Sequence, residues 1–177
     1  FAHGADAVVY FRWRPARFGA EQYWYGILDH DGRPRRRYAE IAEVGAETRQ
    51  LSSVVDGTTL SADTLLVRSF DNLWSQRFQP HADGLSYDGI LEAYYRGLAG
   101  FGVDVADLPA GDDSDLDRYS LVVAPLFNLT TESTVAALAR FIRRGGVLVL
   151  TFRSGTRDRN NAMLDTPMAF SDLAGIS

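Results

Sequence analysis

The chain contains no cysteine, so disulfide bridges, thiolate catalysis and Cys-ligated zinc are all excluded. It also contains no lysine: all 18 of its Lys+Arg positions are Arg. Guanidinium groups suit planar pairing with carboxylates better than an ammonium does. No long apolar run is present. A run such as residues 147–152 falls far short of the roughly 20 residues that cross a bilayer. Positive charge is not in excess either. A net charge of −5 and a pI near 5.1 argue against nucleic acid as a partner, because binding phosphates calls for a basic face. The three histidines, His3, His30 and His81, lie without metal-ligand spacing, and no metal site is expected. The chain begins Phe1-Ala2-His3-Gly4, with neither a start methionine nor a signal-peptide pattern, and it ends abruptly in an apolar, Gly-containing stretch. It reads as a piece of a larger protein.

What is present is 177 residues with 46% hydrophobic content, an ordinary globular composition. Residues 5–11 form an apolar run without alternation, which predicts a strand covered on both faces. Pro15 and Gly19 break regular structure after it. Pro34 suits a first helical turn, and Tyr38, Ile41, Val44, Leu51 and Val55 recur at helical spacings, predicting a helix over residues 34–54. One strand, loop and helix make a single βα unit, which has too little to pack against by itself. The polar turn Asp56-Gly57-Thr58-Thr59 marks the expected boundary, with domains over 1–57 and 58–177.

Beyond that turn, strand and helix alternate. Strands are expected at 64–70, 103–105, 119–125 and 147–152, and helices at 86–101 and 131–144. Ser86 is placed to cap the first helix, and Gly145-Gly146 stops the second. Strands separated by helices imply right-handed crossovers and a parallel sheet, so this part reads as a flavodoxin-like open α/β sheet with helices on both faces.

The ligand crevice of such a sheet lies beyond its strand C-termini. The segments there are residues 71–85, 126–130 and 153–161. Asp71 stands where a receiver domain carries its phosphoacceptor, but such a domain also needs a lysine. The long aromatic segment after the first strand offers no tight phosphate cradle, which argues against FMN, and no other cofactor is called for. An amidotransferase would need a nucleophilic cysteine, and no G-x-S-x-G elbow replaces it. The sheet therefore reads as catalytically empty, a structural or assembly module. The four arginines Arg33, Arg35, Arg36 and Arg37 read as an ion-paired or solvated face.

Glu21 is set among Trp13, Phe18, Tyr23, Trp24 and Tyr25. Rings can cover the apolar face of a sugar while a carboxylate accepts from its hydroxyls. Spacing equally allows Glu21 to pair with Arg12, Arg14 or Arg17, and both readings stay open at this level.

The run Phe11-Arg12-Trp13-Arg14, then Gly19-Ala20-Glu21, then Gly26-Ile27-Leu28 and Asp29-His30, resembles the last barrel strand and following loop of glycoside hydrolase family 42, the β-galactosidases. Weaker motifs follow in the family's order: Phe70-Asp71-x-x-Trp74, Tyr87 with Tyr94-Tyr95, Ala124-Pro125, Gly145-Gly146 and Ser154-Gly155. The resemblance implies the last βα unit of a (β/α)8 barrel followed by a flavodoxin-like trimerisation domain. It further implies a cytoplasmic homotrimer acting on terminal β-D-galactosides with retention. Phe11, Glu21 and Trp24 then fall at the galactose subsite, Glu21 accepting from sugar hydroxyls; the family often has histidine where this chain has Trp24. Retention requires two carboxyl groups about 5–5.5 Å apart. The family's two glutamates lie on barrel strands outside this chain, so no residue here is assigned a catalytic role and the chain alone is expected to be inactive. The competing reading is a non-catalytic flavodoxin-like or amidotransferase-like binding or regulatory module.

Overall fold

The computed structural model describes residues 5–59, 61–108, 114–165 and 168–176. The chain divides into two compact units, residues 1–60 and 61–177.

In the first unit the only helix among the described residues is α1 (Arg36–Val55). Pro34 lies two residues before its first turn. None of its residues is buried, and Val44 and Leu51 of the apolar stripe are exposed. The expected strand over residues 5–11 is not formed: this segment has no ladder partner among the described residues, and Val9 is 91% exposed. A strand keeps its extended geometry through hydrogen bonds to neighbouring strands, and a fully apolar one needs cover on both faces. The first unit supplies neither.

The second unit has both. Its four strands are β1 (Thr64–Val67), β2 (Val103–Ala106), β3 (Leu121–Ala124) and β4 (Val147–Leu150). All pairings are parallel, in the order β2-β1-β3-β4, with Leu65 opposite Asp104 and Val122, and Val123 opposite Val149. The helices are α2 (Phe70–Phe78), α3 (Tyr87–Leu98), α4 (Glu132–Arg143) and α5 (Ser171–Ala174).

Side-chain alternation along the central strands builds two cores. Leu65, Val67, Val122 and Ala124 face one way and pack with Leu138 and Phe141 of α4 and with Phe170. Leu66 and Val123 face the other way and pack with Leu73 of α2 and with Tyr87 and Leu91 of α3. Helices thus cover both faces, as the strand composition requires.

Three helices start at side-chain caps. Ser69, Ser86 and Thr131 accept from the backbone N–H of Asn72, Gly89 and Thr134 respectively. A cap of this kind is worth about 1 kcal/mol. Helix α2 lies where the sequence reads as a long aromatic segment. Its signals were present in Ser69 as a cap and in Phe70, Trp74 and Phe78 at a spacing of four.

Helix α4 turns directly into β4. Gly145 takes φ +100°, and a Cβ at Gly146 would lie 2.4 Å from the Phe141 ring. The buried phenyl group fills the space above the glycine. Phe141→Ala is expected to lower unfolding free energy by about 3–5 kcal/mol through lost burial and the cavity left behind. Gly146→Ala should destabilise as well, through the steric clash. Urea titration followed by tryptophan fluorescence and circular dichroism checks both, and a wild-type midpoint for either variant would contradict this packing.

Candidate functional site

The segment 12–28 of the first unit is a closed loop. Gly19 in the left-handed region lets the chain turn, with Gln22 N–H donating to the Gly19 carbonyl and Trp24 N–H to that of Glu21. The returning chain is tied back by Ile27 N–H to the Arg12 carbonyl at 2.8 Å and by Leu28 N–H to that of Trp13 at 2.9 Å. Gly26 presses on Pro15, where a Cβ would meet the proline ring at 2.7 Å. Leu28 and Pro15 are buried beneath the loop.

This closure gathers the three residues singled out from sequence. The Phe11 and Trp24 rings meet edge-on with centroids 6.2 Å apart. The Arg12 guanidinium lies 4.8 Å from the Phe11 ring centroid and forms an ion pair with the Glu21 carboxylate. Phe11, Arg12, Glu21 and Trp24 are therefore one cluster. Phe11 remains 72% exposed, and the Glu21 side chain about half exposed. Of the three arginines within reach in sequence, Arg12 is the one that pairs with Glu21, a choice that spacing could not make. Phe18, Tyr23 and Tyr25 stand in solvent, and Trp13 meets Tyr38 of α1 edge-on at 6.3 Å.

The loop's exit is held electrostatically. Arg35 and Arg37 each donate to the Asp29 carboxylate at 2.5 Å, and Arg35 also reaches Asp31 at 2.7 Å. The hydrogen bonds from Arg35 and Arg37 hold Asp29 below the usual carboxylate range; those from Arg33 N–H and the Arg35 side chain do the same for Asp31. With Arg36 paired to Glu40, the arginine cluster is an ion-paired face, not a phosphate patch. His30 Nε2 donates to the Gln22 carbonyl at 2.5 Å.

In the second unit the crevice at the switch between β1 and β3 holds a cavity of about 170 Å³, lined among others by Ser69, Asp71, Asn72 and Asp107. Ser69 and Asn72 in this lining hold the fold, Ser69 by capping α2. Asn72 Oδ1 accepts from Leu129 N–H at 2.9 Å, and the Tyr87 hydroxyl accepts from Ser69 N–H at 2.9 Å. Burial is the main reason that Tyr87 is pushed up to about 12 and that Asp107 sits above its ordinary value. Among the described residues no three His, Asp or Glu side chains converge as metal ligands. His3 lies outside the described residues. No helix among them is long and apolar enough to cross a membrane.

His81, given no role from sequence, joins a polar contact at the sheet's C-terminal edge. Its Nε2 accepts from Asn128 Nδ2 at 3.1 Å and from Gln76 Nε2 at 3.2 Å, and its ring packs near Phe152. Partial burial, with Arg153 and Arg157 nearby, lowers its pKa.

Comparison with known proteins covers both units. A family model described as "Beta-galactosidase" matches residues 1–51, and one described as "Beta-galactosidase trimerisation domain" matches residues 62–177. The β-galactosidase BgaA of Clostridium cellulovorans is 35% identical over 98% of this chain and 26% of its own length. The β-galactosidase Bga of Halorubrum lacusprofundi is 38% identical over 98% of this chain and 24% of its own. Among solved structures, a β-galactosidase from Bacillus circulans sp. alkalophilus superposes with a TM-score of 0.83 at 25% identity, covering 97% of this chain and 26% of that one. The chain thus spans about a quarter of the length of the relatives it matches.

The His81 contact makes a pH prediction. A folded-state pKa below the ordinary imidazole value of about 6.5 means that this group's contribution is present above pH 6.5 and is lost as pH falls below it. Wild-type protein should therefore lose more melting temperature between pH 7.5 and 5.0 than His81→Phe does. That window lies above the titration of the paired carboxylates. Parallel loss in both proteins would remove His81 as the cause.

Proposed function

The chain belongs to glycoside hydrolase family 42, and on that footing we propose that it is the C-terminal part of the barrel plus the assembly domain of a longer β-galactosidase. Residues 1–57 are the last strand, loop and helix of the (β/α)8 barrel, and residues 58–177 are the trimerisation domain. The ranges of the two family models and the division of the chain after residue 60 support this partition. The parent hydrolyses terminal β-D-galactose residues with retention, as a homotrimer. Its two catalytic glutamates lie outside this chain, so the 177 residues alone do not turn over substrate.

This piece contributes recognition. The observation that carries the reading is the cluster of Phe11, Arg12, Glu21 and Trp24 on one closed loop. Phe11 and Trp24 present ring surface to the apolar face of galactose, and Glu21 accepts from a hydroxyl. The ion pair with Arg12 engages Glu21 Oε2, and a carboxylate has a second oxygen with lone pairs to spare. Arg12 thus holds one oxygen of Glu21 while leaving acceptor capacity for the sugar. Trp24, where the family often has histidine, contributes stacking and not a hydrogen bond from an imidazole.

A barrel places such a loop at the C-terminal face of its strands, where ligands bind because the interior is solidly packed. The exposed Val8 and Val9, with the uncovered apolar positions of α1, are the surfaces that the rest of the barrel covers.

The test is hydrolysis of a chromogenic β-galactoside. In the full-length parent, Glu21→Gln should lower kcat/KM by about 10- to 100-fold, the equivalent of one charged hydrogen bond of about 1.5–3 kcal/mol. The isolated 177-residue chain should show none. Clear turnover by the short chain, or an unchanged parent variant, would contradict the assignment.

A further inference from the structure

The cavity at the switch between β1 and β3 has a polar floor that the fold leaves partly unused. Asn72, 1% exposed, lines it, and its Oδ1 accepts from Leu129 N–H at 2.9 Å. A backbone N–H can only donate, so that bond fixes which end of the amide is oxygen and leaves Nδ2 as the end free for the cavity. Nδ2 makes no hydrogen bond among the described residues. Thr130, also in the lining, is 7% exposed, and its hydroxyl reaches only the Thr131 carbonyl, at a long 3.5 Å. Buried polar groups are as a rule paired, so two of them with spare capacity on one floor need a partner in the cavity.

The rest of the lining selects the kind of partner. Asp71 in the first turn of α2, Asp107 just past β2, and Arg159 are its exposed charged members, and Arg159 has no ion-pair partner among the described residues. Phe127 and Leu129 are buried and supply apolar wall. An anion would face the two carboxylates. A metal ion would face a guanidinium and an amide NH2, and no three His, Asp or Glu side chains converge on it among the described residues. A sugar hydroxyl both donates and accepts, so its proton can go to Asp71 or Asp107 while its oxygen takes a bond from Asn72 or Arg159. Phe127 and Leu129 then cover the C–H face of the ring. The volume of about 170 Å³ falls below the roughly 300–1,000 Å³ of drug-sized pockets and equals about six waters at about 30 Å³ each, room for one sugar ring and not for a chain of them. The position is the one where open parallel sheets hold ligands, beyond the strand C-termini where the order reverses.

We propose that this crevice of the sheet is a binding site for one neutral monosaccharide. Asn72 and Thr130 meet the sugar from the floor, Asp71 and Asp107 accept hydroxyl protons, and Arg159 donates at the opening. The inference stands on the crevice's own groups and goes beyond the β-galactosidase reading without needing it. Because the lining comes from the ends of β1, β2 and β3 and the starts of α2 and α4, a bound sugar ties these segments together and stabilises the folded unit by mass action.

The experiment is hydrogen–deuterium exchange on the full-length protein, read segment by segment, with D-galactose and D-glucose as probes and inorganic phosphate and magnesium chloride as the rival ligands. At least one of the sugars should slow exchange in segments 69–72, 106–108 and 127–134. Asp71→Asn and Arg159→Gln should each raise the sugar concentration needed for that protection about 10-fold, the loss of one hydrogen bond to a charged group. Both positions are exposed, so each variant is expected to keep the wild-type circular dichroism and melting temperature, and if one does not, the other carries the test. Absence of protection by both sugars overturns the proposal; water alone in the crevice, or a segment of the parent chain filling it, gives that result. Protection by phosphate or magnesium in place of the sugars overturns it too, as does protection that is unchanged in a folded Asp71→Asn or Arg159→Gln variant. Hydrolysis of a chromogenic β-galactoside is measured on the same samples. Full turnover without protection removes this site and leaves the β-galactosidase reading intact, while protection without turnover does the reverse.

Discussion

A parallel strand is stable only when ladders run along its edges and side chains cover both of its faces, and that requirement organises this chain. In the second unit, β1 and β3 have strands on both sides, and α2 and α3 oppose α4 across the sheet. Every residue of β1 is buried. In the first unit the equally apolar residues 5–11 have no ladder partner among the described residues, and they are not a strand. The difference lies in the surroundings and not in the local composition.

The same constraint separates what each unit can do alone. The sheet satisfies its own backbone and core, and polar side chains near its crevice hold the fold: Asn72 holds Leu129, and Tyr87 holds Ser69. The first unit is the reverse. Its loop is closed by local hydrogen bonds and by Asp29 with its two arginines, which keeps Phe11, Arg12, Glu21 and Trp24 together without a surrounding core. A recognition loop that is internally tied can hold its ligand groups in place before the ligand arrives, which reduces the ordering cost of binding. Arg12 serves both purposes, lying against the Phe11 ring and fixing one oxygen of the proposed hydroxyl acceptor.

Much of the architecture was legible without coordinates, and the exceptions share a cause. Strand cores at 64–67, 121–124 and 147–150 stand out as short β-branched or leucine-rich runs, and the caps Ser86 and Thr131 mark helix starts locally. The expected strand ends run past the ladder: β1 stops at Val67, and Ser69 caps α2 where the strand is expected to continue. That helix was hidden by its aromatics, which look like loop or pocket residues until their spacing of four is counted. At the proposed subsite, the residue types were readable but the pairing was not. Arg12, Arg14 and Arg17 all lie within reach of Glu21 in sequence, Arg12 the farthest of the three, and the return of the chain at Ile27 and Leu28 is what brings Arg12 to it.

By itself, the sequence determined the class of the second unit and the likeness to family 42, since these depend on composition, period and local motif. Tertiary structure alone decided which arginine meets Glu21, that His81 accepts from Asn128 across 47 positions, and that the α2 aromatics form an outward ridge. Those outcomes depend on where distant segments meet, and a linear pattern does not encode a meeting point when several partners of the same chemistry are available.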